Sequence, residues 1–150
     1  MPKVDLDAVE ATNRTGYPVP HSDAVAGRFY RRIGDHAGFT DFGASHVVLK
    51  PGAASSQRHW HADEDEMVVM LAGEAVLVED EGRTPMRPGD LAIFPKGVAN
   101  GHHLINESGK ECIFVAVGKK AASDCHYPDI DLHLDGATDS FRRKNGRPIE

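Results

Sequence analysis

Between residues 27 and 117 short apolar runs alternate with turn residues. The runs at 27–33, 44–49, 67–71, 75–78, 84–87, 91–94, 102–106 and 111–117 are rich in aliphatic, β-branched and aromatic side chains, and each predicts a strand. Pro51-Gly52, Ala72-Gly73-Glu74, Pro88-Gly89-Asp90 and Pro95-Lys96-Gly97 supply the turns that separate them. Strands at roughly 8–12-residue spacing point to an antiparallel barrel or sandwich. Closure into a jelly roll removes the edges that so many strands would otherwise expose. The prediction is an all-β jelly-roll barrel. The run from Met67 to Leu71 lacks polar alternation and predicts a strand buried on both faces. Residues 1–26 read as a polar arm with a helical turn at 6–11, residues 27–118 as the barrel, and residues 119–150 as a charged tail packing on the barrel or on a partner.

Within this pattern one polar interruption carries chemistry. His59 and His61 are one residue apart and Glu66 follows after Ala62-Asp63-Glu64-Asp65. In a strand the two imidazoles project to one face and Trp60 to the other. A turn over 62–65 returns Glu66 beside them. By itself a His-x-His pair reads as two surface histidines. The carboxylate and a second histidine pair downstream, His102-His103, turn the reading toward a metal site. Neighbours on a strand face opposite ways, so only one of that pair enters the barrel. Parity with Leu104 and Asn106 selects His102, and a loop bulge would select His103 instead. His46 sits in a strand and is a secondary candidate for the cavity wall, while His21, His36, His126 and His133 read as exposed loop or tail residues.

Composition narrows the class. The 150 residues fit one domain with a core of its own. A net charge of −6 disfavours nucleic acid, whose phosphates call for a basic surface. Neither a bilayer-length apolar run nor a secretory leader is evident, so the expectation is a cytoplasmic protein with no membrane partner. Cys112 and Cys125 lack CxxC spacing and read as reduced thiols, Cys112 as a small core residue.

The stretch from Gly52 to Gly73 closely resembles the first motif of the cupin superfamily: glycine, spacer, His-x-His, four residues, glutamate, six residues, glycine. The spacer of six residues after Gly52 is one longer than usual. The second cupin motif resembles Gly89, Pro95-Lys96-Gly97 and a His followed after three residues by Asn. Asn100 occupies the usual histidine position, and His102 with Asn106 restores the interval after a two-residue insertion in the loop at 98–101. The resemblance implies a double-stranded β-helix, one divalent transition metal (Zn, Ni, Mn or Fe) on His59, His61, Glu66 and His102, and a homodimer. More narrowly, the chain resembles small single-domain cupins, some of which carry sugar-phosphate isomerase labels.

Four protein ligands in an octahedral field leave two positions for a small-molecule ligand, unlike a closed structural zinc site. The expected function is isomerase- or dioxygenase-type chemistry on a small oxygenated substrate, such as a sugar derivative or a hydroxy or keto acid. The alternative is a non-catalytic binder with a structural metal. For a phosphorylated substrate, Arg58, Lys96 and the basic tail at 142–144 are the candidate anion partners.

Overall fold

A computed structural model describes residues 2–119 and 122–150, and among them lie twelve strands. In chain order these are β1 (Arg28–Arg31), β2 (Phe42–Leu49), β3 (Trp60–His61), β4 (Glu66–Ala72), β5 (Ala75–Glu79), β6 (Gly82–Met86), β7 (Leu91–Phe94), β8 (His103–Ile105), β9 (Cys112–Lys119), β10 (Cys125–His126), β11 (His133–Asp135) and β12 (Ser140–Arg142). The first strand stops at Arg31, short of the expected boundary, because Ile33–His36 forms one turn of α-helix. In the arm, Leu6–Ala8 forms a 3-10 turn capped by the Asp5 carboxylate, and a second turn, His21–Val25, buries Val25 completely.

The strands form two layers of an all-β jelly roll. One layer is a five-stranded sheet of order β1-β2-β9-β4-β7. The other joins β12-β11-β10-β3 to β6-β5-β8 through the antiparallel bridges His59↔His102 and Ala54↔Ile105. The core between the layers is filled by Leu49, Val68, Met70, Cys112 and Phe114 from the first layer and Leu77, Met86 and Leu104 from the second. Residues 122–150 of the tail are thus structured: β10 pairs with β3, and Cys125, Tyr127 and Leu132 anchor a second apolar cluster with Tyr17 and Phe141.

Strand period explains where the molecule is open. The inward row Val47, Phe114 and Met70, with Leu49 and Cys112 in the row beyond it, closes the core end of the five-stranded sheet. Toward the other end the inward positions shrink to Ser45, Ala116, Gly43 and Gly118, and Glu66 and Phe94 stand beside them. Small side chains there leave space instead of packing, and that space is the cavity described below. The outward face corrects one expectation: β4 is buried on one face only, with Val68 and Met70 inside and Leu71 49% exposed. His46 pairs with Val115 and Arg31, whereas Val47 points inward, so His46 is on the outer face and not in the cavity wall.

Asn106, fully buried, locks the second layer to the first. Its amide donates to Leu49 O (2.9 Å) and Lys110 O (2.7 Å), and its Oδ1 accepts from Ser108 N (3.0 Å) and Ser108 Oγ (2.7 Å). Every hydrogen-bonding position of that side chain is used, as burial of an amide requires.

Candidate metal centre

Register brings the predicted site residues together. The His59↔His102 bridge is reciprocal, with His59 N–H donating to His102 O (3.2 Å) and His102 N–H to His59 O (2.9 Å). Directly paired residues on antiparallel segments share a face. His61 lies two residues on and shares it too, and its cross-strand partner is Cys125. Glu66 arrives from the facing sheet, at the start of β4 beside Phe94. Three imidazoles, a carboxylate and a thiol therefore meet between the layers. His59 Nε2 and His61 Nε2 are 3.1 Å apart, His61 Nε2 is 3.3 Å from Glu66 Oε2, and His102 Nε2 is 3.2 Å from Glu66 Oε1.

Neighbouring groups fix the ring orientations. His59 Nδ1–H donates to Gln57 O (2.8 Å) and His102 Nδ1–H to Asn100 O (3.0 Å), since a carbonyl can only accept. The Nε2 atoms of both rings consequently point inward, His59 toward another imidazole nitrogen and His102 toward a carboxylate oxygen. Phe94 stacks flat on His102, at 3.5 Å between centroids and 3° between planes. The loop at 98–101 thus acts as a support: the Asn100 carbonyl orients His102, and its side chain is tied to Glu79 Oε1 (2.9 Å) and to Asp80 N–H (3.1 Å).

Lone pairs facing lone pairs and a carboxylate are satisfied by a shared cation, either a proton on His61 or a bound metal. Burial pushes His59 down to about 4, so at neutral pH its Nε2 carries a free lone pair. Glu66 is buried, but its hydrogen bonds with His102 and His61 hold its carboxyl well below the ordinary range. His61 Nδ1 lies 3.1 Å from Glu64 Oε2 without the alignment of a hydrogen bond, and is buried with no other partner among the described residues. An inward-facing set of two or three imidazole nitrogens and an ionised carboxylate is the donor chemistry of a transition-metal site, with carbonyl-anchored rings as its outer support. Ligand atoms of His59, Glu66 and His102, of His59, His61 and Cys125, and of His61, Glu64 and Glu66 each fall within 4.8 Å of one another.

The four residues singled out by spacing, His59, His61, Glu66 and His102, converge. His103 does not join them; its Nδ1–H donates to Ser56 O (2.8 Å). Cys125 and Glu64 were not anticipated. Nothing in a segment without period or motif marks Cys125, although its pairing to His61 puts it at the centre. His21, His126 and His133 are half-buried and not free in solvent, whereas His36 is exposed; His126 stacks on Trp60 at 4.2 Å and 19°, so the chain's own β10 covers the outward face of the His-x-His strand.

A cavity of about 610 Å³ opens in front of the cluster, lined by Tyr17, Arg28, Tyr30, Phe94 and Tyr127 among others. That size suits a small metabolite. The cations proposed from sequence as anion partners are committed elsewhere. Arg58 forms a bidentate pair with Asp129 (2.8 Å to each oxygen) and a further pair with Asp80. Lys96 pairs with Asp63 (3.4 Å), Arg142 with Asp135 (3.6 Å) and Arg143 with Asp131 (3.4 Å).

A two-layer jelly roll with a histidine–glutamate cluster between the sheets defines a class of β-barrel proteins, and comparison with known proteins says which. Residues 45–118 match the family model of the Cupin domain. The chain is similar to a structure described as a sugar phosphate isomerase from a cupin superfamily of Silicibacter pomeroyi, at 40% identity and TM-score 0.93, covering 99% of this chain and 97% of that one. The chain belongs to the cupin superfamily. It is also similar, at 25% identity and TM-score 0.72, to a provisionally named sugar phosphate isomerase of Acidithiobacillus ferrooxidans, covering 78% of this chain and 76% of that one. The polyketide cyclase RemF of Streptomyces resistomycificus shares the fold at 22% identity and TM-score 0.63, over 79% of each chain. No curated protein sequence matches the chain.

Proposed function

We propose that this cupin binds one divalent transition metal through His59, His61, Glu66 and His102 and isomerises a small oxygenated substrate, a sugar derivative in the first instance. The observation that carries the reading is the convergence of three imidazoles and a carboxylate on the wall of a cavity of metabolite size. The relative at 40% identity, described as a sugar phosphate isomerase, supports the choice of reaction class. When bound, the metal supplies Lewis-acid polarisation and a template for substrate oxygens. The protein's own part is orientation and exclusion of water. Gln57 O and Asn100 O fix two rings, Phe94 fixes the plane of His102, and Tyr17 and Tyr127 present an apolar wall with phenol groups.

Among Zn, Ni, Mn and Fe, the nearby Cys125 thiol favours the softer members over Mn. Two further readings accompany the proposal. A cytoplasmic setting fits Cys112 and Cys125, both free and buried. Association of two copies fits the exposed apolar side chains of the outer sheet face.

The test is an assay of purified, metal-loaded protein against aldose and ketose phosphates in air and under argon. The account expects interconversion that is indifferent to oxygen and falls at least ~100-fold in His59→Ala or on chelation. Turnover that requires oxygen supports a dioxygenase instead. Metal binding without turnover of any candidate supports the binding-only alternative.

A further inference from the structure

Arg28, one of the residues lining the cavity, is a cation with no counter-charge among the described residues. Arg28 and Tyr30 lie on β1 in register with Leu49 and Val47, so strand parity turns both inward. The Arg28 Nη1–H group donates to Ser55 O (2.8 Å) and Nη2–H to Arg14 O (3.4 Å), while Nε is buried without a partner among the described residues. The guanidinium lies 5.2 Å from the Tyr30 ring centroid. Among the described residues no carboxylate pairs with it, in contrast to Arg58, Arg142 and Arg143. Burial pushes it below its ordinary value, and the groups that offset this are the Tyr17, Tyr30 and Tyr127 phenols. A half-buried charge answered only by neutral groups is costly unless an anion completes it.

Its position relative to the metal centre is set by one short segment. Ser55 O holds Arg28, the next residue places Ser56 Oγ 3.1 Å from His59 Nδ1, and Gln57 N–H donates to the Tyr17 hydroxyl at 3.2 Å. Tyr17 packs edge-on against Tyr127 at 5.7 Å, and Tyr127 lies 6.0 Å from the His59 ring. Arg28, the two phenols and the histidine cluster thus line one wall of one cavity. Arg14 lines the same cavity, is exposed, and donates through Nε–H to Thr12 Oγ1 (3.3 Å).

We propose that Arg28 is the anion anchor of this cavity, receiving the phosphate of a small phosphorylated hydroxy-oxo substrate whose oxygens face His59, His61, Glu66 and His102. The identity of the far end of that substrate rests on the metal-centred reading above. Phosphate is favoured over carboxylate because the wall offers the remaining N–H groups of a planar guanidinium, phenol hydroxyls and a second arginine, which together suit a dianion.

The test uses the full chain, metal-loaded and chelator-stripped, titrated with inorganic phosphate and separately with acetate, and followed by calorimetry. Wild-type protein is expected to bind phosphate in both metal states and more tightly than acetate. Arg28→Gln weakens phosphate by ~10–100-fold, Arg28→Lys retains part of the affinity, and Lys110→Gln, on an exposed turn away from the cavity, leaves it unchanged. Because Arg28 also ties Ser55 O and Arg14 O, a second measurement is made on wild-type protein alone: phosphate should protect Arg28 from phenylglyoxal. Absence of phosphate binding, undiminished binding by folded Arg28→Gln, failure of protection, or an Arg28-dependent response to acetate only would each overturn the proposal. Phosphate binding through Arg28 by a protein that takes up no metal leaves this assignment standing and removes the metal-centred reading. The converse result removes only this assignment.

Discussion

His61 is the side chain on which the charge balance of the cluster turns. Burial alone would lower its pKa, but the hydrogen bonds to Cys125 and Glu66 and the nearby charges outweigh burial and raise it to about 10. His59, 3.1 Å away, is pushed the other way, so the metal-free pair holds one proton and His61 keeps it. His61 has a folded value above the ordinary 6.5, so its stabilisation is complete below pH 6.5 and lost as pH rises through about 10. Glu64, raised by burial from 4.5 to about 7, acts in the same direction at lower pH. Metal-free protein should therefore melt at progressively lower temperature between pH 6.5 and 10. A metal needs the neutral imidazole, so uptake at pH 7 should release about one proton per ion, read by calorimetry in two buffers of different ionisation enthalpy. Uptake without proton release, or a melting temperature that rises over that interval, would contradict the assignment. At this scale His59, His61, Glu66 and His102 were legible, because motif spacing and strand parity both act on them. Cys125, Tyr17 and Tyr127 were not, since each reaches the site through a pairing tens of residues away. Arg28 was half legible: parity with Tyr30 was present in the strand at 27–33, but only the partner strand shows which face is inward.

Among elements, the turn after β4 is the most constrained. Gly73 has φ +68°, and a Cβ there would lie 2.5 Å from Glu111 O and 2.8 Å from the Cys112 Cα. Both the left-handed backbone and the closeness of β9 exclude a side chain. Gly73→Ala is expected to cost at least about 2 kcal/mol, lowering the melting temperature by roughly 5 °C or more; an unchanged melt would mean the turn relaxes freely. Strands and turns of the barrel were readable because apolar runs and Pro-Gly punctuation coincide. The short strands β3, β10, β11 and β12 were the hard part. Two or three residues carry no period, and β10 exists because β3 offers an open edge and Trp60 a surface for His126. The reading of β4 as doubly buried failed for a related reason. An apolar run does not distinguish a core face from an outer face that stays exposed within one chain.

For the whole molecule that outer face carries a consequence. Leu91 and Ile93 are 61% and 70% exposed beside Leu71 at 49%, on strands paired edge to edge. Light scattering should give a mass near twice the 16.3 kDa chain, and Ile93→Glu should halve it; wild-type protein of single-chain mass at working concentration would remove the dimer. Among the described residues no helix is long and apolar enough to cross a membrane. The proposed function requires one metal ion between the two layers, held by His59, His61 and His102, which converge from one layer, and by Glu66 from the other. Elemental analysis of wild-type protein and single variants tests it most directly. The account predicts about one transition-metal ion per chain, lost in His61→Ala and His102→Ala and kept in His103→Ala. Full metal content in His61→Ala and His102→Ala, or its loss in His103→Ala alone, would contradict it.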